Sequence, residues 1–120
     1  MRQVKSQNPE LLKLIRSLRK KARENDAPIW RDVADCLSAS KRRRVAVNLS
    51  RLNRYTKEKE TVVVPGKVLA AGKLEHPLIV AAFAFSSEAR TKIVQARGKC
   101  LPIMKLLEDN PKGSNIRIMG

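Results

Sequence analysis

The sequence predicts an α/β fold, a compact core of short strands alternating with helices, preceded by an amino-terminal helical hairpin. Three observations predict it. Apolar residues from Leu11 to Leu37 recur at three- and four-residue spacing, the repeat of helices that bury one face. Val62-Val63-Val64 and the stretch from Leu78 to Phe85 are unbroken apolar runs, as expected of short strands covered on both faces. Helix-start signals follow the second run, at Ser86 and again at Pro102. With 120 residues the chain is long enough for one domain with a real core. Residues 1–120 are therefore expected to form a single domain, with 1–7 a flexible basic arm, 8–40 the helical hairpin and 41–120 the α/β core.

The first helix opens where Asn8 can cap with its side-chain oxygen, Pro9 suits the first helical position and Glu10 meets the positive end of the dipole. Leu11, Leu14, Ile15, Leu18 and Ala22 make its apolar stripe. Lys13, Arg16, Lys20 and Arg23 fall off that stripe, either to solvate a surface helix or to face RNA. Asp26, Ala27 and Pro28 end this helix and start a second, with Ile29, Trp30, Val33, Ala34 and Leu37 at helical spacing. Trp30 shares a face with Val33 and Leu37, which makes it a core residue rather than a base-stacking one.

From Val45 to Leu49 the apolar period becomes two, a strand, and a helical turn opens at Ser50. Thr56 to Glu60 reads as a polar turn. Val62 to Val64 reads as a buried strand, and Pro65-Gly66 as a type II turn, the proline fixing φ and the glycine allowing φ > 0. Lys67 to Leu69 is extended, and Leu78 to Phe85 is the expected central strand. Ser86 caps a helix from Ser87 to about Arg97, which Gly98 is placed to end in the left-handed conformation. Lys99 to Leu101 is short and extended, Pro102 opens a last helix stopped by Asn110 and Pro111, and Asn115 to Ile118 closes the fold as a strand. The expected core includes Trp30, Val63, Ile79, Val80, Phe83, Phe85 and Ile93.

The functional signal is charge. The chain carries 26 basic and 11 acidic side chains, a formal charge of +15, more than solubility alone calls for. From Lys41 to Lys59 eight of nineteen positions are Lys or Arg, and the cluster Lys41-Arg42-Arg43-Arg44 leads directly into the apolar alternation of a strand. Like charges packed this closely repel, and a polyanion relieves the repulsion. Nucleic acid is the partner this implies. Aromatic residues make up only 3% of the chain, which argues against a stacking platform and for recognition through phosphates and shape.

Catalytic signatures are missing. His76, the single histidine, precedes Pro77 in an expected turn and reads as structural or solvated rather than as a general base. Asp32 with Asp35, and Glu108 with Asp109, read as solvated helix faces. Pro65-Gly66-Lys67 lacks the spacing of a phosphate loop, and Ser86-Ser87 lacks the glycines of a nucleophile elbow. Cys36 and Cys100 have no metal-ligand spacing and read as buried free thiols in a reducing compartment. No cofactor, metal, small-molecule substrate or membrane span is expected, and no secretory signal is visible at the amino terminus.

Residues 44–118 resemble the archaeal and eukaryotic large-subunit ribosomal protein family "L eighteen e" and, more distantly, its bacterial counterpart "L fifteen". Four ordered motifs carry the resemblance: Val47-Asn48-Leu49-Ser50-Arg51-Leu52-Asn53-Arg54; Val64-Pro65-Gly66-Lys67-Val68-Leu69; Phe85-Ser86 with Ala89-Arg90 and Ile93; and Asn110-Pro111-Lys112-Gly113. Ala70 stands where the family usually has glycine, and Arg97-Gly98 where it has a glycine pair, a change that implies one added phosphate contact. The resemblance implies irregular strand-strand-helix superhelical turns, and a structural, non-enzymatic role in translation on the cytoplasmic ribosome. The implied partners are large-subunit ribosomal RNA and neighbouring large-subunit ribosomal proteins. The residues expected to contact RNA are Lys41, Arg42, Arg43, Arg44, Asn48, Arg51, Asn53, Arg54, Lys57, Lys67, Lys112 and Arg117. A free RNA chaperone or chromatin-type basic protein would share the charge, but should form a stable RNA-free pool.

Overall fold

A computed structural model describes residues 8–38 and 45–120. Helix α1 (Pro9–Glu24) and helix α2 (Pro28–Leu37) form the expected hairpin. Asn8 caps α1, its side chain accepting from the Glu10 amide at 3.0 Å. The apolar stripe predicted for each helix is the face it buries, Leu11, Leu14, Ile15, Leu18 and Ala22 in α1, and Trp30, Val33, Ala34 and Leu37 in α2, except that Ile29 of the second stripe is only partly buried. Trp30 is fully buried, and its indole Nε1 donates to the Pro111 carbonyl at 2.8 Å. That bond satisfies the one polar atom of the side chain and ties the hairpin to the far end of the sequence.

The remaining elements alternate: β1 (Val45–Asn48), α3 (Leu49–Tyr55), β2 (Thr61–Leu69), β3 (Ile79–Phe85), α4 (Ser87–Gln95), β4 (Lys99–Pro102), α5 (Ile103–Asp109) and β5 (Ile116–Ile118). All five strands are parallel, in the order β1-β2-β3-β4, with β5 also on β2. Thr61 to Val63 of β2 pair with β3 on one edge and with β5 on the other, while β1 takes the rest of that second edge from Gly66 to Leu69. The hub is thus β2, with three partner strands, and not the more apolar β3 expected to be central.

Two buried clusters lie on opposite faces of this sheet. Val63 and Ala81 pack with α1, α2 and α5, whereas Val62, Val64, Val68, Val80 and Ala82 pack with Leu49 and Leu52 of α3 and Ala89 and Ile93 of α4. A strand in the middle of such a sandwich has no solvent face, which is why the triple valine is continuous instead of alternating. Burial of β3 is complete only from Val80 to Ala82, where the side chains are small. Ile79, Phe83 and Phe85, expected in the core, are only partly buried: Ile79 opens the strand, while Phe83 packs at the margin of one cluster and Phe85 at the margin of the other.

Pro65-Gly66 is not a turn. Strand β2 runs straight through both residues, and its register with β3 slips between Val64 and Lys67, so one extra residue is accommodated as a bulge. A bulge tolerates proline because a ladder amide is not required there. Gly66 sits opposite Val45, and a Cβ at Gly66 would lie 1.9 Å from the Val45 carbonyl oxygen. Close approach of two backbones, not a positive φ, requires the glycine.

The end of α4 is also differently made. Ser86 caps it as expected, accepting from the Ala89 amide at 3.1 Å. At the other end Arg97, with φ 66°, takes the left-handed position assigned to Gly98. The Gly98 amide donates to the Ile93 carbonyl and the Arg97 amide to the Val94 carbonyl, both at 2.9 Å, the paired bonds of a Schellman ending. Gly98 is needed for space, since a Cβ there would lie 2.5 Å from the Leu78 oxygen.

Two stability predictions follow the geometry. Gly66→Ala should destabilise the fold by roughly 1–3 kcal/mol or more in denaturant melts, through overpacking against β1; an unchanged midpoint would contradict the close approach. Arg97→Gly should stabilise it. Removing left-handed strain gains about 1–2 kcal/mol and the freer unfolded chain takes back about 0.4–1 kcal/mol, so the expected net gain is at most about 1.6 kcal/mol.

Candidate nucleic-acid interface

Helix α3 presents the densest described part of the basic stretch. Leu49 and Leu52 are fully buried and hold it on the sheet, which leaves Arg51, Arg54 and Tyr55 exposed. Both guanidinium carbons lie 5.5 Å from the centre of the Tyr55 ring, within cation–π range. Arg51 also donates to the Gly120 carbonyl at 3.5 Å. Among the described residues, neither arginine pairs with an Asp or Glu side chain. Their charge is thus available to a polyanion.

The carboxyl end of α3 is fixed by side chains from elsewhere. The Thr56 hydroxyl donates to the Leu52 carbonyl at 2.5 Å and lies 2.9 Å from His76 Nε2. With the only hydroxyl proton given to Leu52, the imidazole must be the donor in the second bond. His76 therefore has a structural role, as its position before Pro77 suggested. Arg117 Nη1 donates to the Tyr55 carbonyl, and Arg117 Nε lies 3.7 Å from Glu60 Oε2. Glu60 in turn accepts from the Lys57 amide at 2.7 Å. The tertiary structure so brings Arg51, Arg54, Lys57 and Arg117 to the same end of α3, although Arg117 is distant in sequence.

Asn48 and Asn53 face the loop after β2. Asn48 Oδ1 accepts from the Ala71 amide at 3.2 Å, while Asn53 accepts from the Glu75 amide at 2.9 Å and donates to the Glu75 carboxylate at 3.3 Å. Lys92, which sequence reasoning did not single out, closes the same loop by donating to the Ala70 and Gly72 carbonyls at 2.9 and 3.2 Å. Lys67 is exposed on β2, and Lys112 is exposed in the turn between α5 and β5, beside the Pro111 that receives the Trp30 bond. Lys41, Arg42, Arg43 and Arg44 lie outside the described residues.

Sequence reasoning also passed over Tyr55. Its spacing of four from Arg51 on a helix was the available signal. Elsewhere Arg90 lies over the Phe85 ring at 5.1 Å. Cys36 and Cys100 form no disulfide and are partly rather than fully buried. Burial pushes the Cys100 thiol up from its ordinary pKa against the opposing pull of Arg90, which disfavours the reactive thiolate. No group of three or more potential metal ligands occurs among the described residues. Nor is any helix there long and apolar enough to cross a membrane.

Comparison with known proteins gives a consistent likeness. The family described as "Ribosomal protein 60S L18 and 50S L18e" matches residues 1–120. The chain is 50% identical over 119 residues to the large ribosomal subunit protein eL18 of Methanothermobacter thermautotrophicus, covering 99% of this chain and 98% of that one. It is 48% identical over 118 residues to eL18 of Methanoregula boonei, covering 98% of each. The eL18 of Methanospirillum hungatei is 48% identical over 112 residues, or 93% of each chain.

Asn53→Ala should free the loop that the two Glu75 bonds hold. Expected are faster hydrogen exchange at the Glu75 amide and a stability loss of about 1 kcal/mol. Unchanged exchange at that amide would show that Lys92 alone secures the loop.

Proposed function

Because the chain belongs to the family of ribosomal proteins 60S L18 and 50S L18e, structural and non-enzymatic constituents of the large ribosomal subunit, we propose that it binds large-subunit ribosomal RNA and stabilises the RNA fold on the cytoplasmic ribosome. The observation that carries this reading is the exposed face of α3, where Arg51 and Arg54 have no acidic partner among the described residues and stand on a helix anchored by two fully buried leucines. Lys41, Arg42, Arg43 and Arg44 immediately precede β1 in the sequence, the strand that leads into α3, and bring four more cations to this stretch of chain. Lys57, Lys67, Lys112 and Arg117 add cations around it. Asn48 and Asn53 support it by holding the loop after β2. Residues 1–120 act as one domain in this reading, and neighbouring large-subunit proteins meet the surfaces that RNA leaves free.

Phosphate contacts make binding depend on salt, because each one releases condensed counterions. Replacing Arg42, Arg43 and Arg44 together by Ala should flatten the log-log salt dependence of rRNA binding by about 0.7–0.9 for each phosphate that is no longer neutralised. An unchanged slope would remove these residues from the interface. Sedimentation distinguishes a ribosomal constituent from a free RNA chaperone or chromatin-type protein. The chain should follow large subunits through a moderate salt wash, and a predominantly free pool would contradict the proposal.

A further inference from the structure

We infer that Tyr55 receives an unpaired RNA base against its ring, while Arg51 and Arg54 hold the adjoining phosphates. This rests on the proposed RNA-binding role and names the feature of the RNA that the α3 face takes: a single-stranded, unstacked nucleotide. Of the chain's four aromatic side chains, Trp30 is fully buried, Phe83 and Phe85 are partly buried, and Tyr55 alone is mostly exposed, at 51%. Two guanidinium groups within 5.5 Å leave about half of that residue open to solvent. Covering an apolar ring is therefore not a sufficient account of the arrangement.

The chemistry selects the ligand. A cation pair next to a half-exposed aromatic side chain matches a nucleotide, which offers an anionic phosphate and a flat base at neighbouring positions. Bases within an A-form duplex have both faces covered by stacking, so the ring can be used only by a nucleotide from a loop, bulge or end. An acidic protein segment would satisfy the arginines but leave the ring without a comparable planar partner.

The site is also preorganised. Leu49 and Leu52 fix α3 on the sheet, Arg117 Nη1 holds the Tyr55 carbonyl, and Thr56 bonds both Leu52 and His76 just beyond. Little backbone ordering remains to oppose binding. Arg117 acts here as a positioning residue for the aromatic contact.

The test is a titration of the full chain with large-subunit rRNA across a salt series. Tyr55→Ala should bind roughly 5- to 150-fold more weakly, the effect of removing one base–aromatic stack, with the log-log salt slope unchanged because no charge is removed. Tyr55→Phe, which keeps the ring, should bind as the wild type does. Equal binding by Tyr55→Ala, or a flattened slope, would overturn the inference. Photo-crosslinking of the wild-type chain within intact large subunits gives a reading independent of how any variant folds. A crosslink from Tyr55 to an unpaired nucleotide is expected, whereas a crosslink to a paired nucleotide or to a neighbouring protein, or no crosslink at Tyr55, overturns it. If the wild-type chain itself fails to bind rRNA, the proposed function fails; wild-type binding with no effect of Tyr55→Ala removes only the stacking contact.

Discussion

Strand β2 must satisfy its backbone on two edges and cover its side chains on two faces. The neighbouring strands β3, β5 and β1 meet the first requirement, and the helices of the two clusters meet the second. Burying its amides and carbonyls without partners would be costly. The rest of the chain is arranged around that double condition. Helices α1, α2 and α5 close one face, while α3 and α4 close the other. The Trp30 bond to Pro111 and the Met119 amide bond to Val63 bring the two ends of the sequence into the same packing.

The bulge at Pro65-Gly66 shows how tightly this condition acts. A single extra residue lets β2 pair with β1 beyond the point where its register with β3 shifts. That second half of β2 positions β1, and β1 leads without a linker into α3. The exposed arginines of α3 are therefore placed by backbone pairing on the opposite side of the helix from the solvent they face. A surface built this way holds its charges in a fixed pattern.

Polar side chains around α3 divide into two kinds of work. Asn48, Asn53, Lys92, Thr56 and His76 bind backbone or one another and hold loops in place. Arg51 and Arg54 lie over an exposed ring and have no acidic side-chain partner among the described residues. Arg117 falls between these groups: its partly solvated ion pair with Glu60 contributes little to stability, whereas its bond to the Tyr55 carbonyl fixes where α3 ends.

By itself the sequence determined the local elements whose causes are local. Asn8 and Ser86 cap helices because side-chain oxygens reach amides two or three residues on, and the stripes of α1 and α2 bury because a 3.6-residue repeat gathers them on one face. The triple valine announced a strand with no wet face, and the basic stretch together with its motifs announced a ribosomal family. Only the tertiary structure decided the rest. Pro65-Gly66 has the composition of a turn, and nothing nearby in sequence reveals that Val45 lies against Gly66. Arg97 takes the left-handed position of the Schellman ending, and Gly98 fills the next position, where the Leu78 backbone approaches. The exposure of Tyr55 and the grip of Arg117 on its carbonyl join residues 62 positions apart. Such contacts depend on which strands lie side by side, a property of long-range pairing that local periodicity does not encode.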